Sequence, residues 1–221
     1  MKFWKYQLNG NDFILIETKK LFTKEQIMKM CDAHFGIGAD GLCILTQVHN
    51  RIHYKHYNVD GSKAGMCGNG IRCVGLWYMN NNHVDQCVIE INEQTYALFR
   101  KDHFVTLIAP IPKVIKPNYY HSGVKHWISK EYQESREYNV DVVRYHNAMY
   151  FTLTTYELGV GYTHSCGSGA LAAYYHGYLY HGLADVACCE SAGGINIMQK
   201  HKSNIYLSGI PIFVYYGYFN E

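Results

Sequence analysis

The segments Met66–Gly70 and Ser165–Gly169 read MCGNG and SCGSG, and each runs directly into a long, mostly apolar stretch, IRCVGLWYM in the first case and ALAAYYHGYLY in the second. One such box is compatible with an ordinary glycine turn entering a helix beside an inert, buried cysteine. Two matching boxes in a chain of 221 residues point instead to a duplicated half-protein with one reactive group in each half. Any fold for this chain has to accommodate that repeat.

The residue types explain what such a box does. A helix N-terminus presents unpaired backbone N–H groups and a partial positive charge, so a cysteine placed there is expected to have a depressed pKa and thiolate character. Glycines let the backbone approach a ligand closely, Asn69 and Ser168 add a polar contact, and the N–H groups suit a carboxylate. Two helices pointing into one cleft, with a thiol on each side of a bound carboxylate, provide two-base proton transfer. One thiolate takes a proton from carbon while the opposite thiol delivers one to the other face, and the configuration inverts.

Composition narrows the partners. With 48% hydrophobic and 15% aromatic residues the chain can bury a real core. Charged residues make up only 17% and the net charge is +2, so there is no basic field for nucleic acid. The N-terminus lacks a signal pattern and no stretch is long and apolar enough to span a bilayer, which makes a cytoplasmic protein without membrane contact the expectation. The eight cysteines suit neither a disulfide framework, which belongs to short secreted chains, nor zinc, which wants paired ligands in two clusters. Among the thirteen histidines, His53 and His56 of RIHYKHYN fall on opposite faces of a strand, and His176 and His181 are spaced poorly for shared ligation on a helix. No metal site is expected.

Periodicity places strands at DFILIET, VIEINEQTYALFR, NVDVVRY, AMYFTLTTYE and NIYLSGIPIFVYYGYF. A helix is expected over TKEQIMKMCDAHF, started by a threonine cap and ended by the glycines of GIGADG. Three of the four prolines lie in the segment HFVTLIAPIPKVIKPNYY, so a domain crossover is placed near Pro110 to Pro117.

Four segments, NGNDFILIE, GIGADGL, YNVDGSKAGMCGNGIRC and YELGVGYTHSCGSGA, resemble the diaminopimelate epimerase family of cofactor-independent amino-acid racemases and epimerases, in the family's order and over most of the chain. The resemblance implies an α/β (α+β) fold of two pseudo-symmetric domains, each a curved sheet or barrel around a central helix, with the active site in the interdomain cleft. The expected halves are residues 1–109, with the C-terminal strand 208–221 packed against them, and residues 110–207. It further implies that Cys67 and Cys166 are the acid/base pair and that His126 and Glu157 tune the thiols. By the same resemblance Asn11, Asn58 and Asn139 contact substrate, and Gly68, Asn69, Gly167 and Ser168 hold its α-carboxylate. No cofactor is implied. The aromatic ending VYYGYF resembles the strand through which family members dimerise, which implies a homodimer, a buried edge strand being the alternative account.

The departures concern the far end of the substrate. Leu158 stands where the family carries an arginine that clamps a distal carboxylate, Val124 replaces another distal contact, and Lys63 stands in DGSK where the family has glutamate. Leucine supplies no part of a bidentate guanidinium–carboxylate pair. The favoured expectation is therefore racemisation of an amino acid other than diaminopimelate, with histidine racemases the nearest precedent. Epimerisation of diaminopimelate or lanthionine is the alternative. A catalytically silent amino-acid-binding protein and a proton-shifting isomerase of the same fold are further readings, both disfavoured by two retained thiols.

Overall fold

A computed structural model describes residues 1–48, 51–91 and 94–220. The chain divides into two compact units, Met1–Val105 with Ile210–Glu221, and Thr106–Gly209.

The first unit contains β1 (Lys2–Leu8), β2 (Asn11–Glu17), α1 (Lys24–Cys31), β3 (Gly41–Val48), β4 (Arg51–Asn58), α2 (Gly68–Asn82), β5 (Gln86–Ile91) and β6 (Gln94–Lys101). β1 pairs antiparallel with β2, β2 parallel with β3, β3 antiparallel with β4, β4 parallel with β5, and β5 antiparallel with β6. β7 (Phe104–Pro110) carries the chain into the second unit. That unit holds β8 (Lys113–Lys116), β9 (Tyr119–Ser122), β10 (Val124–Ser129), β11 (Asn139–Asn147), β12 (Tyr150–Glu157), β13 (Gly161–Thr163), α3 (Gly167–Tyr180), β14 (Val186–Ser191), β15 (Gly194–His201) and β16 (Asn204–Gly209). From β9 to β15 the pairing repeats the first unit: β9–β10 antiparallel, β10–β11 parallel, β11–β12 antiparallel, β12–β14 parallel and β14–β15 antiparallel. β17 (Ile212–Tyr218) returns to the first unit, where it pairs antiparallel with β1.

In each unit the cysteine box opens the helix that crosses between the second parallel pair of strands. Neither helix is amphipathic, because each is covered by sheet and buries residues over most of its circumference. α2 buries Ile71, Cys73, Val74, Trp77 and Met79, and α3 buries Leu171, the alanines 170, 172 and 173, and Tyr174. α2 packs on β1, β2, β5 and β6, while α3 packs on strands β9 to β12 and β14 to β16.

Local signals account for the ends of the elements, with two revisions. The Thr23 cap is present as a complete capping box with Gln26. However, α1 stops at Cys31 rather than running to Phe35, because Asp32 Oδ1 accepts from the backbone N–H groups of both His34 and Phe35 at 2.7 Å and turns the chain. The run VIEINEQTYALFR is a hairpin of β5 and β6, with residues 92 and 93 of it outside the described residues. In β4, Ile52, Tyr54 and His56 are buried while Arg51 and Lys55 are exposed, so His53 and His56 face opposite ways as their spacing requires.

Candidate active site

The first cysteine is the N-cap of α2. Cys67 is half-buried, and its Sγ accepts from the backbone N–H of Gly70 at 3.4 Å. Asn11, at the start of β2, lies against it with Oδ1 3.7 Å from Cys67 Sγ and 3.5 Å from Asn69 Nδ2. The orientation of that amide is set from behind, since Asn11 Nδ2 donates to Asp40 Oδ2 at 2.9 Å. Gly68 is the first, buried residue of the helix. The fully buried Arg72 runs back along this turn, Nε donating to Gly68 O at 2.8 Å and Nη2 to Asn69 Oδ1 at 2.7 Å.

The second cysteine, Cys166, is the N-cap of α3 and is buried. Its Sγ lies 3.4 Å from Ser168 Oγ. Ser168 Oγ in turn is 3.0 Å from His126 Nε2, and His126 Nδ1 is 2.6 Å from Asp141 Oδ2. Asp141 also accepts from Thr155 Oγ1 at 2.7 Å. His126 and Asp141 have no exposed surface. Glu157 ends β12, where Thr163 Oγ1 donates to it at 3.2 Å and the Cys166 thiol hydrogen-bonds it. Asn139 Oδ1 accepts from the backbone N–H of Leu158 at 2.9 Å, and Gly167 is buried in the first turn of α3.

The electrostatics of this second cluster reverse one expectation. Helix position alone predicts a depressed thiol pKa at both boxes, yet Cys166 is pushed well above its ordinary value, first by burial and then by the carboxylates of Glu157 and Asp141. Glu157 is itself raised by burial, against the opposing hydrogen bonds from Cys166 and Thr163. Burial and these two carboxylates oppose ionisation of Cys166, against the hydrogen bonds of Ser168 and the Gly169 backbone.

The structure thus gathers Asn11, Gly68 and Asn69 around Cys67, and His126, Asn139, Glu157, Gly167 and Ser168 around Cys166. Asn58 is used differently: its Nδ2 donates to Ser62 Oγ at 3.0 Å within the turn that follows β4. Lys63 is exposed beside that turn, bridged to Tyr57. Val124 and Leu158 are exposed to 40% and 45%. Four buried or supporting groups escape a reading of residue types alone: Asp40, Arg72, Asp141 and Thr155. Asp40 and Arg72 lie inside motifs already singled out, GIGADGL and GNGIRC, so position within a motif was the available signal for them, whereas Asp141 and Thr155 lie in segments read only as strands. Among the described residues no group of three His, Cys, Asp or Glu side chains is placed to hold a metal ion, and no helix is long and apolar enough to cross a membrane.

Strands of matching pairing order in each unit, set around a helix that begins with a cysteine, define a fold that solved proteins share. Its solved neighbours include a phenazine biosynthesis protein of the PhzF family from Enterococcus faecalis, at TM-score 0.73 and 11% identity over 98% of this chain and 97% of that one. A hydroxyproline epimerase from Agrobacterium vitis, solved with bound trans-4-hydroxy-L-proline, aligns at TM-score 0.69 and 10% identity over 98% and 91%. In sequence, the diaminopimelate epimerase family pattern matches residues 3–96. The diaminopimelate epimerase of Flavobacterium psychrophilum is 33% identical over 205 residues, covering 78% of this chain and 79% of that protein. The chain belongs to the diaminopimelate epimerase family of amino-acid racemases and epimerases.

Proposed function

We propose that this protein is an amino-acid racemase that works without pyridoxal phosphate or a metal, with Cys67 and Cys166 exchanging protons on opposite faces of Cα. The α-carboxylate is held by the N–H groups at Gly68, Asn69, Gly167 and Ser168, where an enolate-like charge is stabilised as it develops. Proton removal from carbon needs a base that is ionised and an acid that still carries its proton, and the two boxes provide unlike surroundings for two like groups.

The observation that carries the substrate reading is the apolar character of Leu158 and Val124, both exposed at positions where a second carboxylate would need a cation. The proposed substrate is therefore an amino acid with one carboxylate, with histidine the favoured candidate. The second reading, diaminopimelate epimerisation, draws support from the sequence relatives, since proteins of that name match this chain at 27–33% identity over 78% of its length or more. A homodimer through β17 completes the proposal. That strand hydrogen-bonds β1 and exposes Phe213, Val214, Tyr216 and Tyr218, so sedimentation at the monomer mass would remove this part.

The test is incubation with separate L-amino acids, including histidine, and with LL-diaminopimelate in deuterium oxide, following Cα deuterium uptake together with chirality. Exchange with inversion on histidine or another monocarboxylate, and none on diaminopimelate, is the expected result. Exchange confined to diaminopimelate would overturn the substrate reading, and no exchange on any of them would overturn the racemase reading. Substituting Cys67 by Ser separates an enzyme from a binder: a binder keeps its ligand, whereas the racemase loses turnover.

A further inference from the structure

β1 carries a lysine where its alternation calls for an apolar residue. Phe3 and Lys5 lie on the same face of the strand, and Phe3 belongs to the buried cluster that includes Ile14, Ile27, Met30 and Leu42. Lys5 is nonetheless buried, with 7% of its surface exposed. An ammonium in such a place needs partners that offset its desolvation. It has the Asp12 carboxylate, with Oδ2 2.7 Å from Nζ, and the backbone carbonyl of Gly38, to which Nζ donates.

Both partners belong to the support of the first site. The turn that follows α1 folds back onto the helix end, with the N–H groups of Ile37 and Gly38 donating to Met30 O and that of Ala39 to Cys31 O. Gly38 has a φ of +77°, and a Cβ there would meet Ala33 Cα at 3.1 Å, so the chain passes this point in a conformation that suits glycine alone. The carbonyls of the same turn are held from the neighbouring strands. Lys5 takes that of Gly38, and Tyr215 of β17, paired with Lys5 across β1–β17, donates its hydroxyl to Ile37 O at 3.4 Å. The turn ends at Asp40, which is bonded to Asp12 in both directions. Asp40 N–H donates to Asp12 Oδ1 at 2.8 Å, and Asp12 N–H donates to Asp40 Oδ2 at 3.1 Å. Asp40 Oδ2 also accepts from Asn11 Nδ2 at 2.9 Å. A carboxylate only accepts, so it takes the NH2 of the amide and turns Asn11 Oδ1 towards Cys67 and Asn69. Turned the other way, Asn11 would set an amide oxygen against a carboxylate oxygen.

We infer that Lys5 is a positioning residue of the first site: its buried ammonium, bonded at once to Asp12 and to the Gly38 carbonyl, fixes the turn 37–40 and, through Asp40, the direction in which Asn11 presents its oxygen to Cys67. This deepens the racemase reading, on which the consequence for turnover rests. Lys5 acts through Asp12, Asp40 and Asn11, so its removal changes the geometry beside the sulphur while leaving every group there in the chain. Without the ammonium, Asp12 loses that cation and the Gly38 carbonyl loses that donor. Asp40 is then free to shift with the turn, and the amide it holds shifts with it.

NMR of the full chain labelled with 15N-asparagine reads the Asn11 side-chain amide directly, and Asn11→Ala assigns its signal. The unsubstituted protein is expected to show an Asn11 NH2 pair with one proton displaced downfield by its bond to a carboxylate. Lys5→Met keeps the length of the side chain and removes the charge. It should move the Asn11 signal in the direction in which Asp40→Asn moves it. Lys2→Met, which removes an exposed charge from the same strand, should leave the signal in place. In the deuterium exchange assay Lys5→Met should lower kcat about tenfold or more, as a displaced site geometry does. If Lys5→Met does not fold, the double variant K5M/D12N removes both charges together, so that neither is left without its partner, and the same movement of Asn11 is expected. An Asn11 signal unmoved in either folded variant would overturn the inference, as would an equal movement in Lys2→Met or a Lys5→Met protein that keeps full kcat. Failure of the racemase reading would show separately, as absent Cα exchange in the unsubstituted protein with the response of Asn11 to Lys5→Met intact.

Discussion

The backbone N–H of Leu158 donates to the side-chain oxygen of Asn139 across 2.9 Å. That bond ties the corner after β12, and with it Glu157, to the first residue of β11. It leaves the leucine side chain outside the bond and 45% exposed. Leu158→Arg should therefore add a guanidinium without disturbing the corner. A new charge-assisted bond to a distal carboxylate is worth about 1.5 kcal/mol or more, which is about tenfold or more. The expected outcome is that much gain in kcat/KM for diaminopimelate and a loss for monocarboxylate substrates, read in the deuterium exchange assay.

His126 bridges Asp141 and Ser168 with no exposure. Replacing it by alanine leaves the Asp141 carboxylate buried with only Thr155 to bond it. Removing one partner of a buried pair typically costs about 3–5 kcal/mol. Urea unfolding of His126→Ala should show a loss of about that size, and a loss below about 1 kcal/mol would mean that the pair is not buried in solution.

Glu157 ionises with difficulty in the folded chain because burial raises its pKa above the ordinary 4.5. A carboxyl with a raised folded pKa holds its proton more tightly when folded, so its contribution to stability is present in acid and is lost as pH climbs through the folded pKa. Glu157→Gln is expected to be more stable than the unsubstituted protein at neutral pH, with the difference shrinking below about pH 4.5, while kcat falls. Thermal unfolding across that range gives the sign directly.

His56 works in the opposite direction. Burial lowers it from 6.5 to about 4, with the Gly65 backbone only partly opposing. Neither ring nitrogen has a hydrogen bond of normal geometry, and the ring lies between Tyr54 and Phe13. A histidine with a depressed folded pKa contributes stability that is complete above 6.5 and is lost as pH falls towards 4. A displacement of that size corresponds to about 3 kcal/mol. His56→Phe should remove that share of the acid limb of the stability profile while keeping the ring packing.

Gly70 and Gly169 occupy equivalent turns yet should respond differently to alanine. The hydroxyl that a Cβ on Gly70 would meet is the end of the Tyr54 side chain, whereas the Asp141 carboxylate beneath Gly169 is fixed by His126 and Thr155. Forcing a methyl into a site that cannot yield costs about 1–3 kcal/mol. Gly169→Ala is expected to show the larger loss in denaturant midpoint and a larger loss of activity, because α3 carries Cys166.

The amino-acid order by itself determined the repeat, the two helix starts, the threonine cap at Thr23 and many of the residues around each thiol. All of these are short-range: a cysteine, two glycines and an apolar run define a helix entrance wherever they occur. It did not determine that α1 ends at Cys31, since the apolar spacing continues past the point where Asp32 turns the chain. Nor did it determine the state of Cys166. That state depends on Asp141 and Glu157, contributed by strands that reach α3 only through the β10–β11 and β11–β12 pairings. Arg72 likewise reads as a helix residue until burial places its charge on the turn below Cys67. Charge acts through space and burial strengthens it, so the same box, written twice in the chain, meets different neighbours once each is folded into its own surroundings.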